Sequence, residues 1–197
     1  YEDGYYRTGE DKPWEHTLYG EPELFWQVLE RKELNKRPEL SKPMAFNNET
    51  PVGNVPAIST TIEYLDWTTV QWIYDEESGR YSRWADGEIH VDANSDEQIT
   101  AANVVLLFVP HQIDGSICEF QGADKCLAFA TETQIWGQGP VAVLRDGVML
   151  DGFWQRANRE DPLTFIRGDG SPLPLQIGNS WIQVIPTHYD EAVTIDG

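Results

Sequence analysis

Trp72-Ile73-Tyr74-Asp75, Gly79-Arg80-Tyr81-Ser82-Arg83, Gly87-Glu88-Ile89-His90-Val91-Asp92, Gln98 and Asn103-Val104-Val105-Leu106-Leu107-Phe108-Val109 follow one another as hairpin, polar turn and buried strand. Val70 to Tyr74 and Tyr81 to Trp84 alternate on either side of a turn at Glu77-Ser78-Gly79, the period of strands with one face covered. The unbroken apolar, β-branched run from Asn103 to Val109 is what a strand buried on both faces requires.

Outward from this core, Ile58 to Tyr64 alternates in the same way and Trp181 to Ile185 reads as a last strand. Val141 to Arg145 and Val148 to Gln155 flank Asp146-Gly147, the dipeptide that supplies the positive φ angles of a type I′ hairpin. Gly168-Asp169-Gly170 marks another turn. Ahead of the strands, Leu24, Phe25, Val28 and Leu29 recur at helical spacing between Glu21 and Leu34, with Pro22 near the first turn. Pro38, Pro43, Pro51 and Pro56 punctuate an extended connector, in which Asn48-Glu49-Thr50 matches a glycosylation sequon but reads as a turn. These elements predict a mainly β fold, a β-sandwich or partly open barrel with one N-terminal α-helix. The expected organisation is an arm, helix and connector over residues 1–55 and a β domain over 56–197.

A chain of 197 residues that is 40% hydrophobic buries one good core. Its net charge of −19 repels phosphate backbones and anionic lipid surfaces, so nucleic acid is excluded as the expected partner. Half of its 14 positive residues fall in the first 42 positions, among them Arg31, Lys32, Lys36, Arg37 and Lys42. No stretch is apolar enough for a membrane span, and direct membrane insertion is not expected. The sequence starts at Tyr1 without Met, as a processed or partial chain would.

The opening pattern resembles the C-terminal domain of the YerB-like family of bacterial lipoproteins. Its members carry W-x-Y-D, G-x-Y-x-R, a P-H-x-D-like element and N-V-V-V in that order, matched here by Trp72 to Asp75, Gly79 to Arg83, His90 to Asp92 and Asn103 to Val105. The resemblance spans roughly residues 56–186. It extends more loosely to Tyr5-Tyr6-Arg7 and to His16, Leu18 and Tyr19, where the family's usual Asn is missing. The family has no established activity, and the resemblance implies an extracytoplasmic protein at the cell surface or secreted. Cys118 and Cys126, whose spacing permits a local disulfide, are then expected to be oxidised. A second ligand pair that would make them a zinc site is missing.

The same motifs supply the ligand-binding candidates Arg83, His90, Asp92, Gln98 and Asn103. On an extended segment Glu88, His90 and Asp92 share one face, which suits a metal, a proton relay or a bound ligand, or simply a turn cap beside a packed histidine. Asp92, Asn94 and Asp96 open like a calcium loop. Glu97 then stands where that loop needs Gly and Asn103 where it needs Glu, so any calcium affinity is expected on the order of 10⁻⁴ M or weaker. Arg80 and Arg83 could fork onto an anion or pair with Asp75, Glu76 and Glu77 across the hairpin, the pairing being the expectation. Of the tryptophans, Trp72 and Trp154 fall in core patterns and Trp14, Trp84 and Trp136 beside turns.

No nucleophile elbow, zinc-protease helix, P-loop or dinucleotide fingerprint is present. The functional expectation is a non-enzymatic binding domain for a cell-envelope component or protein partner, without a cofactor. Two alternatives stand beside it: a hydrolase of envelope glycans centred on His90 and Asp92, and a structural subunit that assembles with itself.

Overall fold

The computed structural model describes residues 4–37, 39, 44–51, 55–64 and 68–197, with side chains for all of these except Glu15, Asp190 and Glu191. Pro38, Lys42 and Pro43 of the expected arm and connector lie outside the described residues. The chain divides into two compact units, Tyr1–Leu40 and Ser41–Gly197.

In the first unit β1 (Tyr5–Arg7) pairs antiparallel with β2 (Leu18–Gly20), and a 3-10 turn, Trp14–Thr17, lies between them. The Arg7 guanidinium stacks 3.5 Å over Trp14 and donates to Thr17 Oγ1, which fixes that turn. Helix α1 (Pro22–Arg31) begins with proline in its first turn, where a missing N–H costs nothing. It stops three residues before the expected end. Glu33 takes a left-handed φ of 54°, and the N–H groups of Glu33 and Leu34 close on the carbonyls of Glu30 and Leu29. The helix finds apolar cover within its own unit: the Phe25 ring lies 4.9 Å from Tyr5 and against Gly4 and Gly20.

The second unit contains β3 (Phe46–Asn47), β4 (Val55–Pro56), β5 (Ser59–Tyr64), β6 (Thr68–Asp75), β7 (Arg80–Ala85), β8 (Glu88–Ile89), β9 (Thr100–Ala101) and β10 (Asn103–Val109). They are followed by β11 (His111–Gln121), β12 (Cys126–Thr133), β13 (Gly137–Arg145), β14 (Val148–Arg156), β15 (Thr164–Ile166), β16 (Leu175–Gln176), β17 (Ser180–Pro186) and β18 (Val193–Asp196). One sheet runs β15-β14-β13-β10-β17 with β4 on β14, and the other runs β18-β5-β6-β7-β8 with β9 on β7. Both sheets are open and face each other, which resolves the two expected architectures in favour of the sandwich.

Strand β10 shows why its sequence lacks alternation. Val104 and Leu106 point between the sheets, against Ile62, Val70, Trp72 and Tyr81. Val105, Leu107 and Val109 point the other way, into a second core with Val143, Trp154, Phe165, Leu173 and Leu175. Fully burying each such side chain contributes roughly 1.5–3 kcal/mol, so this strand anchors both layers. The β13–β14 hairpin turns as its dipeptide dictates, with φ of 53° at Asp146 and 73° at Gly147. The connector is tied down at two places: β3 pairs with β16, and β4 with β14.

Two features have no counterpart in the sequence reading. Among the described residues, strands β11 and β12 pair only with each other, as a long ribbon whose end is tied by the Cys118–Cys126 disulfide. Most of this ribbon is exposed, including Ile113, Ile117, Phe120, Leu127 and Phe129. The other is Arg145, a fully buried guanidinium at the end of β13. Its Nε donates to Asp146 at 2.7 Å, Nη1 to Asn47 Oδ1 and Pro174 O, and Nη2 to the carbonyls of Asn47 and Glu49. Arg145→Met would strand those buried acceptors and is expected to lower stability by about 3–5 kcal/mol in urea unfolding; a loss within error of zero would show that the loops hold without it.

Candidate functional site

The motif residues part into two groups. Arg83, His90 and Gln98 converge. Arg83 lies on the inner face of β7, where its guanidinium stacks 4.8 Å over Trp181 of the opposite sheet and 5.9 Å over Trp72 of its own. His90 sits edge-on to Trp181, and its Nδ1 meets Arg83 Nη1. Gln98 donates through Nε2 to the Arg83 carbonyl, which also accepts the His90 N–H. Close by, Gln183 donates to the Tyr64 hydroxyl, which donates to the Val184 carbonyl. Burial lowers the Arg83 pKa, and its Nε is buried without a hydrogen-bond partner among the described residues. Packing between two indoles stabilises a cation electrostatically, and a guanidinium presented this way can hold a small carboxylate or phosphate.

Asp92 and Asn103 lie apart from that cluster. The Asp92 Oδ1 accepts the N–H groups of Asn94 and Ser95, closing its own turn, while Asp96 takes a φ of 57°. These bonds, led by the Asn94 amide, lower the Asp92 pKa. Asp92 therefore acts as a turn cap, and His90 packs on a tryptophan. Among the described residues no three His, Cys, Asp or Glu side chains come together as a metal centre. Asn103 is fully buried, and its amide is committed: Nδ2 donates to Gln176 O and Ser180 Oγ, and Oδ1 accepts the Gln176 N–H at 2.7 Å.

The hairpin arginines do not pair with the neighbouring acids as expected. Asp75 accepts the N–H groups of Glu77 and Ser78 within its own turn. Arg80 instead donates to Thr100 and, at 2.6 Å, to Asn179 Oδ1, bringing β9 and the approach to β17 together. Trp72 and Trp154 are fully buried, Trp14 and Trp136 are exposed, and Trp84 is half-buried. Trp181 is the member of the cluster that sequence reading missed. In sequence it was only the first residue of a last strand, and only sheet packing brings it to Arg83.

Clefts occur elsewhere. One is lined by Gln155, Arg156, Asn158 and Asp161, one by Asn47, Glu49, Arg145 and Arg167, and one by Tyr74, Glu76 and Asp146. None of these three includes His90 or Asp92.

Two measurements separate structural from binding roles. Asn103→Ala leaves buried partners unpaired and is expected to cost about 1–3 kcal/mol with no ligand present; unchanged stability would free Asn103 for another role. Asp92 has a depressed folded pKa, so its contribution is present above the ordinary carboxylate value of about 4 and is lost as pH falls through the folded value. The stability difference between wild type and Asp92→Ala should accordingly close on acidification; a gap that stays constant would show that the carboxylate does not cap the turn.

One solved structure shares this fold. The crystal structure of YerB from Bacillus subtilis superposes with a TM-score of 0.69 at 19% identity, covering 98% of this chain and 60% of YerB. The chain thus spans about 60% of YerB's length, and at this identity the likeness concerns the fold. No curated protein matches. Residues 60–182, from the inner strand β5 through both motif hairpins and β10 to the start of β17, match the model of the C-terminal domain of a protein of unknown function, DUF3048. That span is more than half of the chain and contains every ligand-binding candidate above, so this chain belongs to the DUF3048 C-terminal domain family.

Proposed function

We propose that this chain is a non-enzymatic binding module that works outside the cytoplasm and engages a cell-envelope component through the β11–β12 ribbon. The ribbon carries the reading. Ile113 is 70% exposed and Phe120 62%, and Leu127 and Phe129 lie two apart on one face with Thr131 and its cross-strand partner Ile113. Apolar side chains held out on a two-stranded arm are what a docking surface looks like. The Cys118–Cys126 disulfide that ties the arm also suits an oxidising compartment. The net charge of −19 favours partners that are neutral or basic over nucleic acid, and the contact needs no cofactor.

The glycan-hydrolase alternative gains no supporting observation, because Asp92 closes its own turn and His90 faces Arg83 and Trp181. A second copy of the chain is the competing occupant of the ribbon.

Sedimentation with Gram-positive cell-wall sacculi and, separately, with membrane vesicles tests the proposal. The wild type should pellet with one of these fractions, and the triple variant Ile113→Ser, Leu127→Ser, Phe129→Ser should lose at least about tenfold in affinity. Pelleting with neither fraction, or pelleting indifferent to the triple variant, would overturn it. Concentration-dependent dimers in sedimentation velocity that vanish in the triple variant would assign the ribbon to self-association instead.

A further inference from the structure

We propose that the cleft beside Trp136 is a binding site for a neutral oligosaccharide. This surface is distinct from the ribbon, and the proposal does not rest on the envelope reading.

The site is built by the far ends of β13 and β14, where Gly137 pairs with Arg156 and Gln138 with Gln155. Arg156 places its guanidinium 4.6 Å over the Trp136 ring. It is held there by donating from Nε to Asp161 O at 3.1 Å and from Nη2 to Arg159 O at 2.9 Å. With one face of the indole so occupied, Trp136 is still 47% exposed. Arg156 also lines a cleft of about 220 Å³ with Gln155, Asn158, Asp161 and Thr164, room for about one sugar ring.

Three properties of this arrangement suit a saccharide. An exposed indole is a flat apolar plate with a polar tip, the surface on which the C–H face of a pyranose packs. Across Arg156 from the indole, planar amides and a carboxylate of the cleft offer the paired donors and acceptors that vicinal hydroxyls need: the Gln155 amide, bonded to Gln138 at 3.0 Å, and Asp161. The Asp161 Oδ2 is fixed by the N–H and Nδ2 of Asn158 at 2.9 and 2.8 Å, whereas Oδ1 carries no hydrogen bond among the described residues and can accept from a hydroxyl. A chain of net charge −19 disfavours acidic polymers, which leaves neutral sugars.

The test titrates the full chain with cellohexaose and with chitohexaose, with polygalacturonate as the acidic control, by calorimetry and by following the indole N–H signals in NMR. Saturable binding of a neutral hexasaccharide is expected, weakened at least about tenfold by Trp136→Ala and unchanged by Trp14→Ala, whose indole is also exposed. The indole signal absent from Trp136→Ala should be the one that moves in the wild type. Should that variant fail to fold, Trp136→Phe identifies the same signal. No binding of either neutral sugar, binding only of polygalacturonate, or a titration that leaves the Trp136 signal in place would each overturn the proposal.

Discussion

The buried charge of Arg145 is the constraint around which the β unit is arranged. Taking a guanidinium out of water is expensive unless every N–H finds an acceptor, and here the acceptors come from segments far apart in sequence. Asn47, Glu49 and Pro174 contribute, and Asp146 adds the counter-charge. Asn103, the cross-strand partner of Arg145, extends the network by seizing Gln176 and Ser180. Two side chains at one end of the central strands thereby hold the connector, the segment before β17 and the hairpin turn. An apolar pair could fill the same space, but it could not tell these loops where to lie.

The sandwich was legible wherever a strand sees two different environments or none. The alternation of Ile62, Val70, Trp72 and Tyr81 follows from one covered face, and the unbroken run of β10 from two. The ribbon was illegible for the opposite reason. Both of its faces meet solvent along most of its length, and register shifts between Asp114 and Cys118 and on to Gln121 break any period-2 pattern. Short pairings such as Phe46 with Leu175 and Val55 with Met149 are set by tertiary neighbours and leave no local signature.

Of the motif residues, Arg83, His90 and Gln98 do meet, but the sequence named them only as motif residues and gave no sign that they were neighbours. The acids could not be assigned from sequence. Asp75, Asp86, Asp92, Asp114 and Asp169 all turn their carboxylates onto nearby backbone or hydroxyl groups, and each pKa falls for that reason. The arginines look elsewhere: Arg145, Arg156 and Arg167 donate mainly to carbonyls. Charge in this unit is used to fix loops more than to form ion pairs, so spacing between opposite charges was a poor guide.

The last two strands join different sheets. Strand β17 lies parallel to β10 at the edge of one, pairing Val104 with Trp181, while β18 edges the other, pairing Thr61 with Thr194. Each sheet waits for a partner far downstream, Ser180 for Asn103 in one and Thr194 for Thr61 in the other, and the entropy of closing such long loops comes before any reward in contacts. Folding of this unit is therefore a late and collective event in the life of the chain. The apolar β10, with Val104 to Leu107 fully buried at the end, spends the interval as the segment most in need of protection.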